Sequence, residues 1–535
     1  MGLLISRYFI FQTTIVLSLL FAVLAVAVTP WWGLPLVLLV PLLLVGVQDL
    51  LQTQHAILRN YPIIGHIRFM LEAVRPELRQ YLIEDERDQI PYSREQRALV
   101  YRRAKNVLDA QPFGTVENVD AAGYGWISHS LLARTNEDHD FRIRIGGEGC
   151  AQPYDASVLN ISGTSFGAVS GHAIMALNKG AKLGGFAHNT GEGSISPYHR
   201  RYGGDIIWQV ASGYFGCRTT EGKFDPDRFR DQAVDPQIKM IEVKLSQGAK
   251  PGHGGVLPKA KITAEIAETR GVPMGRDCVS PPRHTAFSTP LELMAFIAQL
   301  RELSGGKPVG LKTAVGHRFQ FLAIVKAMIA TGEGPDFIVI DGGEGGTGAA
   351  PSELSDHVGL PLTLGLSFAE SALVGAGVRD RLKLGASGKL VSGYDLCRAF
   401  AIGADYVLSA RDFMFAIGCI QSRTCHTNRC PTGVATQDPQ RQRALVVDDK
   451  AERVANFHRN TLRALAELLG SAGLAHPSDL MPWHLHVRDE SGNILRGDEF
   501  YPRPAFGALV NGEAAPALAQ EWRLAQAESF APASY

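Results

Sequence analysis

From residue 158 onward, short β-branched or aliphatic runs recur, each ending in Gly, Ser or a charged residue and each followed by an Ala/Leu-rich stretch of helical period. Strand candidates fall at 158–161, 183–186, 240–245, 277–280, 309–312, 337–341, 382–384 and 406–409. Helices are expected between them at 168–179, 291–303, 319–329, 367–374 and 394–402. This alternation calls for parallel strands covered by helices, because each parallel pair needs a crossover long enough to return to the same end of the sheet. Eight such units close most simply into an α/β (β/α)8 TIM barrel, with an open doubly wound sheet as the alternative. In a barrel the residues after each strand line one rim, so the polar and glycine-rich tails of these strands predict a common pocket. The 56 glycines in 535 residues exceed the average share of about 7% and supply those tails.

Ahead of the alternation, residues 8–47 contain no charged side chain, and Thr29-Pro30-Trp31-Trp32 divides them into apolar stretches at 8–28 and 33–47. The first reaches the roughly 20 residues needed to cross a hydrocarbon core; the second reaches the interface when Trp31, Trp32 and Gln48 are added. The expectation is a transmembrane hairpin within residues 1–50, with membrane lipid as a partner. An uncleaved signal peptide and a hairpin lying in one leaflet are the other readings, although no clear small-residue cleavage site follows the first run. Arg7 precedes the pair and Arg59, Arg68, Arg75 and Arg79 follow it, so both ends are expected in the cytoplasm, with the large domain cytoplasmic and anchored to the inner or plasma membrane. Residues 51–150 read as a helical connecting region, Arg-, Glu- and Gln-rich over 52–112. Residues 151–480 read as the barrel with a cysteine loop, and residues 481–535 as a C-terminal extension. The 53 Lys and Arg balance 53 Asp and Glu, which removes the electrostatic footprint of a nucleic-acid binder. Seven cysteines in so long a chain are no disulfide framework and fit a reducing compartment.

Three of those cysteines, Cys419, Cys425 and Cys430, stand in a C-x5-C-x4-C spacing closed by Pro431. Thiolates this close on an irregular loop can converge on one metal centre, and a Cys-Pro ending occurs in ferredoxin ligand runs. An iron–sulfur cluster is favoured over a Cys3His zinc site using His426, whose spacing is unsuitable, and over unpaired core cysteines. With no fourth Cys nearby, three irons are favoured over four. Gly343 to Gly348 spell G-x-G-x-x-G after a strand, the dinucleotide fingerprint, but Pro351 follows instead of an uninterrupted helix, so a barrel loop brought against a flat cofactor is the better reading. Ser387-Gly388-Lys389 and Ser409-Ala410 follow the seventh and eighth strands, where barrels commonly hold a phosphate on backbone N–H groups. Lys312 ends the fifth strand, where it places a positive charge beside a flavin's pyrimidine edge or forms a structural ion pair. Gln247 and Lys250 on a mobile-looking loop, with Arg270 after it, offer an amide and two cations suited to a dicarboxylate.

Taken in order, Ser165-Phe166-Gly167-Ala168-Val169-Ser170, Asn189-Thr190-Gly191-Glu192-Gly193, residues 244–255, Val279-Ser280-Pro281-Pro282, residues 341–351, Gly359-Leu360-Pro361 and residues 419–437 resemble the FMN-binding synthase domain of glutamate synthase, over about residues 150–445. The resemblance implies a (β/α)8 barrel carrying FMN and a 3Fe-4S cluster on Cys419, Cys425 and Cys430. It implies an oxidoreductase acting on CH–NH2 donors, which reduces 2-iminoglutarate, formed from 2-oxoglutarate and ammonia, to L-glutamate. It places FMN against Ser162, Gly163, Thr164, Ser165, Lys312, Asp341, Gly343, Gly345, Gly346, Gly388, Ser409 and Ala410, and the 2-oxo acid near Gln247, Lys250 and Arg270. Catalytic roles fall to Lys312 and to Glu192, the latter as a proton donor or as a group that orients the imine.

The chain departs from the family pattern in Thr313-Ala314-Val315-Gly316-His317 after Lys312 and in Thr285 after His284; both bear on substrate identity. It opens Met-Gly-Leu-Leu and runs directly into the apolar segment, so no glutaminase domain with an amino-terminal cysteine is expected, nor the family's long β-helix or an NAD(P)-binding domain. Ammonia is then expected from solution or an ammonia-supplying subunit, and electrons from an electron-donor protein. Two alternatives compete: an FMN and iron–sulfur subunit of an N-methylglutamate synthase-like complex or another 2-oxo or imino acid oxidoreductase, and a noncatalytic anchored scaffold. The cysteine trio and Glu192 argue against the scaffold, which has no need of a redox centre.

Overall fold

Eight parallel strands close into a barrel in the computed structural model, which describes residues 7–88, 91–108, 110, 112–147 and 149–534; the opening Met-Gly-Leu-Leu lies outside them. The strands are β1 (Leu159–Ile161), β2 (His188–Asn189), β3 (Ile206–Val210), β4 (Ile238–Lys244), β5 (Val309–Thr313), β6 (Phe337–Asp341), β7 (Lys383–Ser387) and β8 (Tyr406–Ser409). Each pairs with the next, and β8 pairs with β1. The register sets Lys244 beside Lys312, Asp341 beside Ser387 and Ser409 beside Ile161. Those strand ends therefore stand at one level on one rim, where a barrel carries its chemistry.

Two strand expectations need correction. Residues 183–186 are not a strand: Leu183 and Gly184 end the helix Gly171–Gly184, which Gly185 caps in the left-handed region at φ 67°, and the strand begins at His188. Residues 277–280 contribute Cys278–Val279 to an antiparallel hairpin with Val256–Leu257, outside the barrel. The strand missing from the sequence reading is β3, buried along its whole length. A parallel strand covered on both faces shows no alternation to mark it. The surplus strand at 277–280 and the missed β3 cancel in the count, so Lys312 still lies in the fifth strand, one residue before its end.

The interior of the barrel is filled by Ala187, Ile207, Met240, Phe337, Val339, Tyr406 and Leu408. Against them pack Ile145, Tyr154 and Ala156 of the hairpin Arg142–Ile145/Tyr154–Ser157, which closes the end opposite the rim. The expected helices appear, several of them longer than anticipated, and a further helix, Val447–Ser471, buries Val454, Phe457, Leu465 and Leu469 against the barrel layer. The expected connecting region is divided. Its helix Arg94–Ala104, opened by a Ser93/Gln96 capping box, belongs with the barrel in the unit Ile90–Tyr535. In the same unit Gly125–Ile127 pairs with Leu485–Arg488 and Ile494–Arg496 of the C-terminal extension.

A second unit, Met1–Gln89, contains α1 (Phe9–Ala27), a tight turn at Pro30–Gly33 and α2 (Leu36–Leu51). Phe9–Ala27 and Pro30–Leu51 are long and apolar enough to cross a membrane. The helices meet closely at Gly46, where an added Cβ would stand 2.3 Å from the Phe11 ring. Such small residues let apolar helices approach in lipid. Thr14 and Ser18 donate their hydroxyls to the carbonyls of Ile10 and Thr14 at 2.8 and 2.7 Å, so those two hydroxyls need no water. Beyond α2 come a short helical turn, Ala56–Asn60, and α3 (Gly65–Leu78).

Candidate active site

One cavity opens on the rim, and most of the residues singled out in the sequence line it. Ser162, Gly163, Thr164, Ser165, Glu192, Gln247, Lys250, Arg270, Lys312, Asp341, Gly345, Gly346, Gly388, Ser409, Ala410 and Cys425 share its wall. Gly343, Cys419 and Cys430 are not among the lining residues. Gly343 instead packs behind the wall, donating its N–H to the Leu360 carbonyl at 2.8 Å.

The side formed by β1 and β5 to β8 is built for a flat polar ligand and an anion. Lys312 is buried, donates to Ser162 Oγ at 3.1 Å and stands 3.4 Å from Asp341 Oδ1, so the ion pair is formed and the ammonium still faces the cavity. Ser162 and Ser387 touch through their hydroxyls at 3.3 Å. The glycines leave space that side chains would fill: an added Cβ would lie 3.1 Å from the Gly191 backbone at Gly163, 2.9 Å from the Gly342 carbonyl at Gly345 and 2.6 Å from the Arg411 guanidinium at Gly346. Gly388 has φ 141°, which favours glycine. Lys389 and Arg411 also line the cavity and add two cations beside this backbone, as an anion nest requires. These features fit a flavin mononucleotide.

Below the rim, Glu242 of β4 is fully buried and accepts from Asn189 Nδ2 at 2.8 Å and from Gln209 Nε2 at 2.6 Å. Asn189 Oδ1 in turn accepts the Gly191 N–H at 2.9 Å, fixing the turn that carries Glu192. A buried carboxylate bonded in this way holds its partners rigidly.

The opposite side gathers charge. Lys244 Nζ donates to Glu192 Oε2 at 3.0 Å and to the Gln247 side-chain oxygen. Burial pushes the Glu192 carboxyl up, but the charge and hydrogen bond of Lys244, aided by Lys250 and Arg270, outweigh it, and the net shift is below the ordinary carboxylate range. In this arrangement the Glu192 carboxylate accepts from Lys244, which suits the imine-orienting one of the two roles, proton donor or orienting group, that the sequence offers it. Burial lowers the Lys250 amine despite the opposing charge of Glu192, and Lys250 Nζ donates to the Ala349 carbonyl at 3.0 Å. Arg270 is buried, donates to the Phe166 carbonyl at 2.9 Å and stacks 5.2 Å above Phe215, while its Nε has no partner among the described residues. The loop with Gln247 and Lys250 is tied down: Gly248 donates its N–H to Asp341 Oδ2 at 2.8 Å, and a Cβ there would stand 1.6 Å from the Gly342 carbonyl.

The cysteine loop leaves the short helix Arg411–Ala416. Gln421, Arg423 and Asn428 take positive φ values of 57°, 58° and 64°, a local density of strained backbone typical of functional loops. Burial pushes the Cys419 thiol up to about 12, and burial with the neighbouring Cys430 raises Cys425. Burial also works against ionisation of Cys430, but the Thr432 hydroxyl and the N–H groups of Ala435, Thr432 and Val434 outweigh it and lower that thiol. Lys261, on the cavity wall, donates to the Cys425 carbonyl at 3.3 Å, and burial brings its amine down to about 8. Among the described residues no three His, Cys, Asp or Glu side chains stand close enough to grip a single metal ion.

Several residues of this site were not singled out from the sequence: Lys244, Gln209, Lys261, Lys389, Arg411 and Tyr92. Lys244 and Lys389 lay inside quoted motifs, but nothing in the spacing says which lysine faces a carboxylate. Tyr92 comes from the region read as a connector. It lines the cavity, its ring lies 4.8 Å from the Arg411 guanidinium and 5.4 Å from Lys389 Nζ, and Gln421 of the cysteine loop grips its backbone, accepting its N–H at 3.1 Å and donating to its carbonyl at 3.2 Å.

The chain is similar in sequence to known proteins. The pattern described as a conserved region in glutamate synthase matches residues 144–475. The glutamate synthase large subunit-like protein YerD of Bacillus subtilis (strain 168) is 38% identical over 493 residues, covering 84% of this chain and 93% of that protein. The archaeal-type glutamate synthase (NADPH) of Thermotoga sp. (strain RQ2) is 35% identical over 343 residues, 63% of this chain and 64% of that one. The archaeal glutamate synthase (NADPH) of Archaeoglobus fulgidus (strain ATCC 49558) is 37% identical over 315 residues, 58% of each chain. The chain thus spans less than two thirds of the length of the archaeal-type relatives.

Proposed function

Because the chain belongs to the glutamate synthase family, we propose that it is a membrane-anchored oxidoreductase that reduces 2-iminoglutarate, formed from 2-oxoglutarate and ammonia, to L-glutamate. The observation that carries this reading is a single cavity lined at once by the glycine and serine loops, Lys312, the cations Lys250 and Arg270, Glu192 and Cys425. A noncatalytic scaffold has no use for that convergence.

Ser162, Ser387 and Lys312 would hold the polar edge of FMN, with Gly345, Gly346, Gly388 and the Ser409-Ala410 backbone around its phosphate; Cys419, Cys425 and Cys430 would hold the cluster. When bound, FMN supplies hydride chemistry at the imine carbon, fed by single electrons through a 3Fe-4S cluster. Lys250 and Arg270 clamp the two carboxylates of the 2-oxo acid, and Gln247 adds an amide donor, which fixes the α-carbon against the flavin side of the cavity. Ionised Glu192 accepts an N–H from the iminium nitrogen and orients it. Lys244, hydrogen-bonded to Glu192, holds a proton at Nζ that can follow the charge developing on the product amine. The tied-down loop at Gly248 limits water around the imine, which hydrolysis would otherwise return to the 2-oxo acid.

Electrons come from a partner protein, and ammonia from solution or a second partner. The two apolar helices anchor the chain, and the arginines after them place the catalytic unit on the cytoplasmic side. The test is anaerobic reoxidation of the reduced holoprotein by 2-oxoglutarate. Flavin reoxidation that requires both the acid and ammonia is expected; a purified chain with no flavin spectrum, or one indifferent to both, would refute the assignment.

A further inference from the structure

α3 has no part in the site, yet its composition is not that of a passive connector. It is 14 residues long, a length at which an isolated helix is marginal in water and needs its apolar face covered. Of residues 66–79 only Phe69 is partly covered, its ring 5.2 Å from that of His55. Ile64, Ile67, Met70, Leu71, Val74 and Leu78 are 41%, 51%, 59%, 52%, 41% and 39% exposed. At the helical period they share an arc of roughly 120°, on the side away from Phe69. Arg68, Arg75 and Arg79 border one edge of that arc. Arg68 pairs with Glu72 at 2.9 Å; Arg75 and Arg79 have no acidic partner among the described residues. Leu82 and Ile83 continue the apolar exposure at 77% and 75%.

A buried carboxylate fixes where this stripe begins. Asp49 lies in the last turn of α2, is 3% exposed, accepts the Ile63 N–H at 2.8 Å and stands 2.8 Å from His66 Nε2. Gly65 packs against Leu58, where an added Cβ would lie 3.0 Å from its side chain. The start of α3 is thus bound to the end of the second apolar helix.

We propose that α3 and the turn after it lie in the plane of the cytoplasmic leaflet, with the apolar stripe in the acyl boundary and Arg68, Arg75 and Arg79 on anionic headgroups. This rests on reading α1 and α2 as a membrane hairpin. A surface helix with a stripe of this width, flanked by arginine and pinned to a spanning helix, buries in lipid what it cannot bury in its own unit.

The experiment reconstitutes the full chain in phosphatidylcholine/phosphatidylglycerol vesicles doped with a lipid carrying a photoactivatable diazirine in its upper acyl chain. Adducts are then mapped by peptide mass spectrometry. Adducts are expected on residues 9–51 and also on 64–83, and the surface variant L71E/V74E lowers those on 64–83 by at least about fivefold while leaving 9–51 labelled. Labelling of 9–51 with none on 64–83 would overturn the inference and leave the hairpin standing. Absence of labelling on 9–51 would overturn the anchor reading itself. Chemical cross-links from 64–83 to a second copy or to the barrel, with no lipid adducts there, would also refute the inference.

Discussion

Lys250 shares its cavity wall with Lys244 and Arg270, and burial holds its amine below the ordinary lysine range. Among the described residues Glu192 is the one carboxylate paired with this positive charge, which leaves room for a second anion. A ligand with two carboxylates answers that arrangement. Lys250→Ala is expected to weaken 2-oxoglutarate binding by about 10- to 100-fold, the loss of one charge-assisted hydrogen bond worth about 1.5–3 kcal/mol. Flavin content should remain unchanged, because Lys312 and the serines stand on the other side. Equal affinity in the variant, measured by titration of the oxidised holoprotein, would take Lys250 out of the substrate site. The residue types at this end were legible in the motif at 244–255. The pairing was not, because the Lys244–Glu192 contact joins loops 52 positions apart.

At the scale of elements, the cysteine loop and the rim are held together by Tyr92, from a segment whose composition is that of a connector. Tyr92 stacks with Arg411 and Lys389 and is gripped through its backbone by Gln421. Removing its ring takes one contact from each cation and one wall from the anion nest; a cation–π contact contributes about 0.5–2 kcal/mol. Tyr92→Ala is expected to lower FMN affinity by about tenfold, read by flavin fluorescence on reconstitution, with Tyr92→Phe retaining most of it. Unchanged affinity in the alanine variant would show that Arg411 and Lys389 need no such support. Element-level legibility followed solvent exposure and turn chemistry. The tails at 341–351 and 387–389 declared themselves through glycine, whereas β3 did not, because Ile206, Ile207, Trp208 and Val210 are buried on both faces and Gln209 reads as an interruption until Glu242 is seen beside it.

For the molecule as a whole, the barrel encloses histidines that burial keeps neutral. His199 and His458 are brought down to about 3 and His284 to about 4. Their folded values lie below the unfolded reference of about 6.5, so the unfolded chain takes up protons that the native one refuses. Stability is therefore complete above about pH 6.5 and is lost as pH falls toward 4, with each histidine contributing a slope of about 1.4 kcal/mol per pH unit. His458 stacks 3.9 Å from Phe186 and bonds Ser157 at 2.9 Å; His458→Gln should lower stability at neutral pH yet flatten the acid slope by about one proton. Denaturant midpoints between pH 7 and 4.5 measure this, and parallel slopes for the two proteins would contradict it.

The proposed redox site joins the cysteine loop to the glycine-lined cavity through Cys425. Electron paramagnetic resonance of the anaerobically purified full chain, with flavin quantified in the same sample, tests it in wild type and Cys425→Ser. The expected result is about three irons and one FMN in wild type, and in the variant loss of the iron signal with FMN still bound. An iron signal that survives the substitution unchanged would place the metal elsewhere and separate the loop from the cavity it lines.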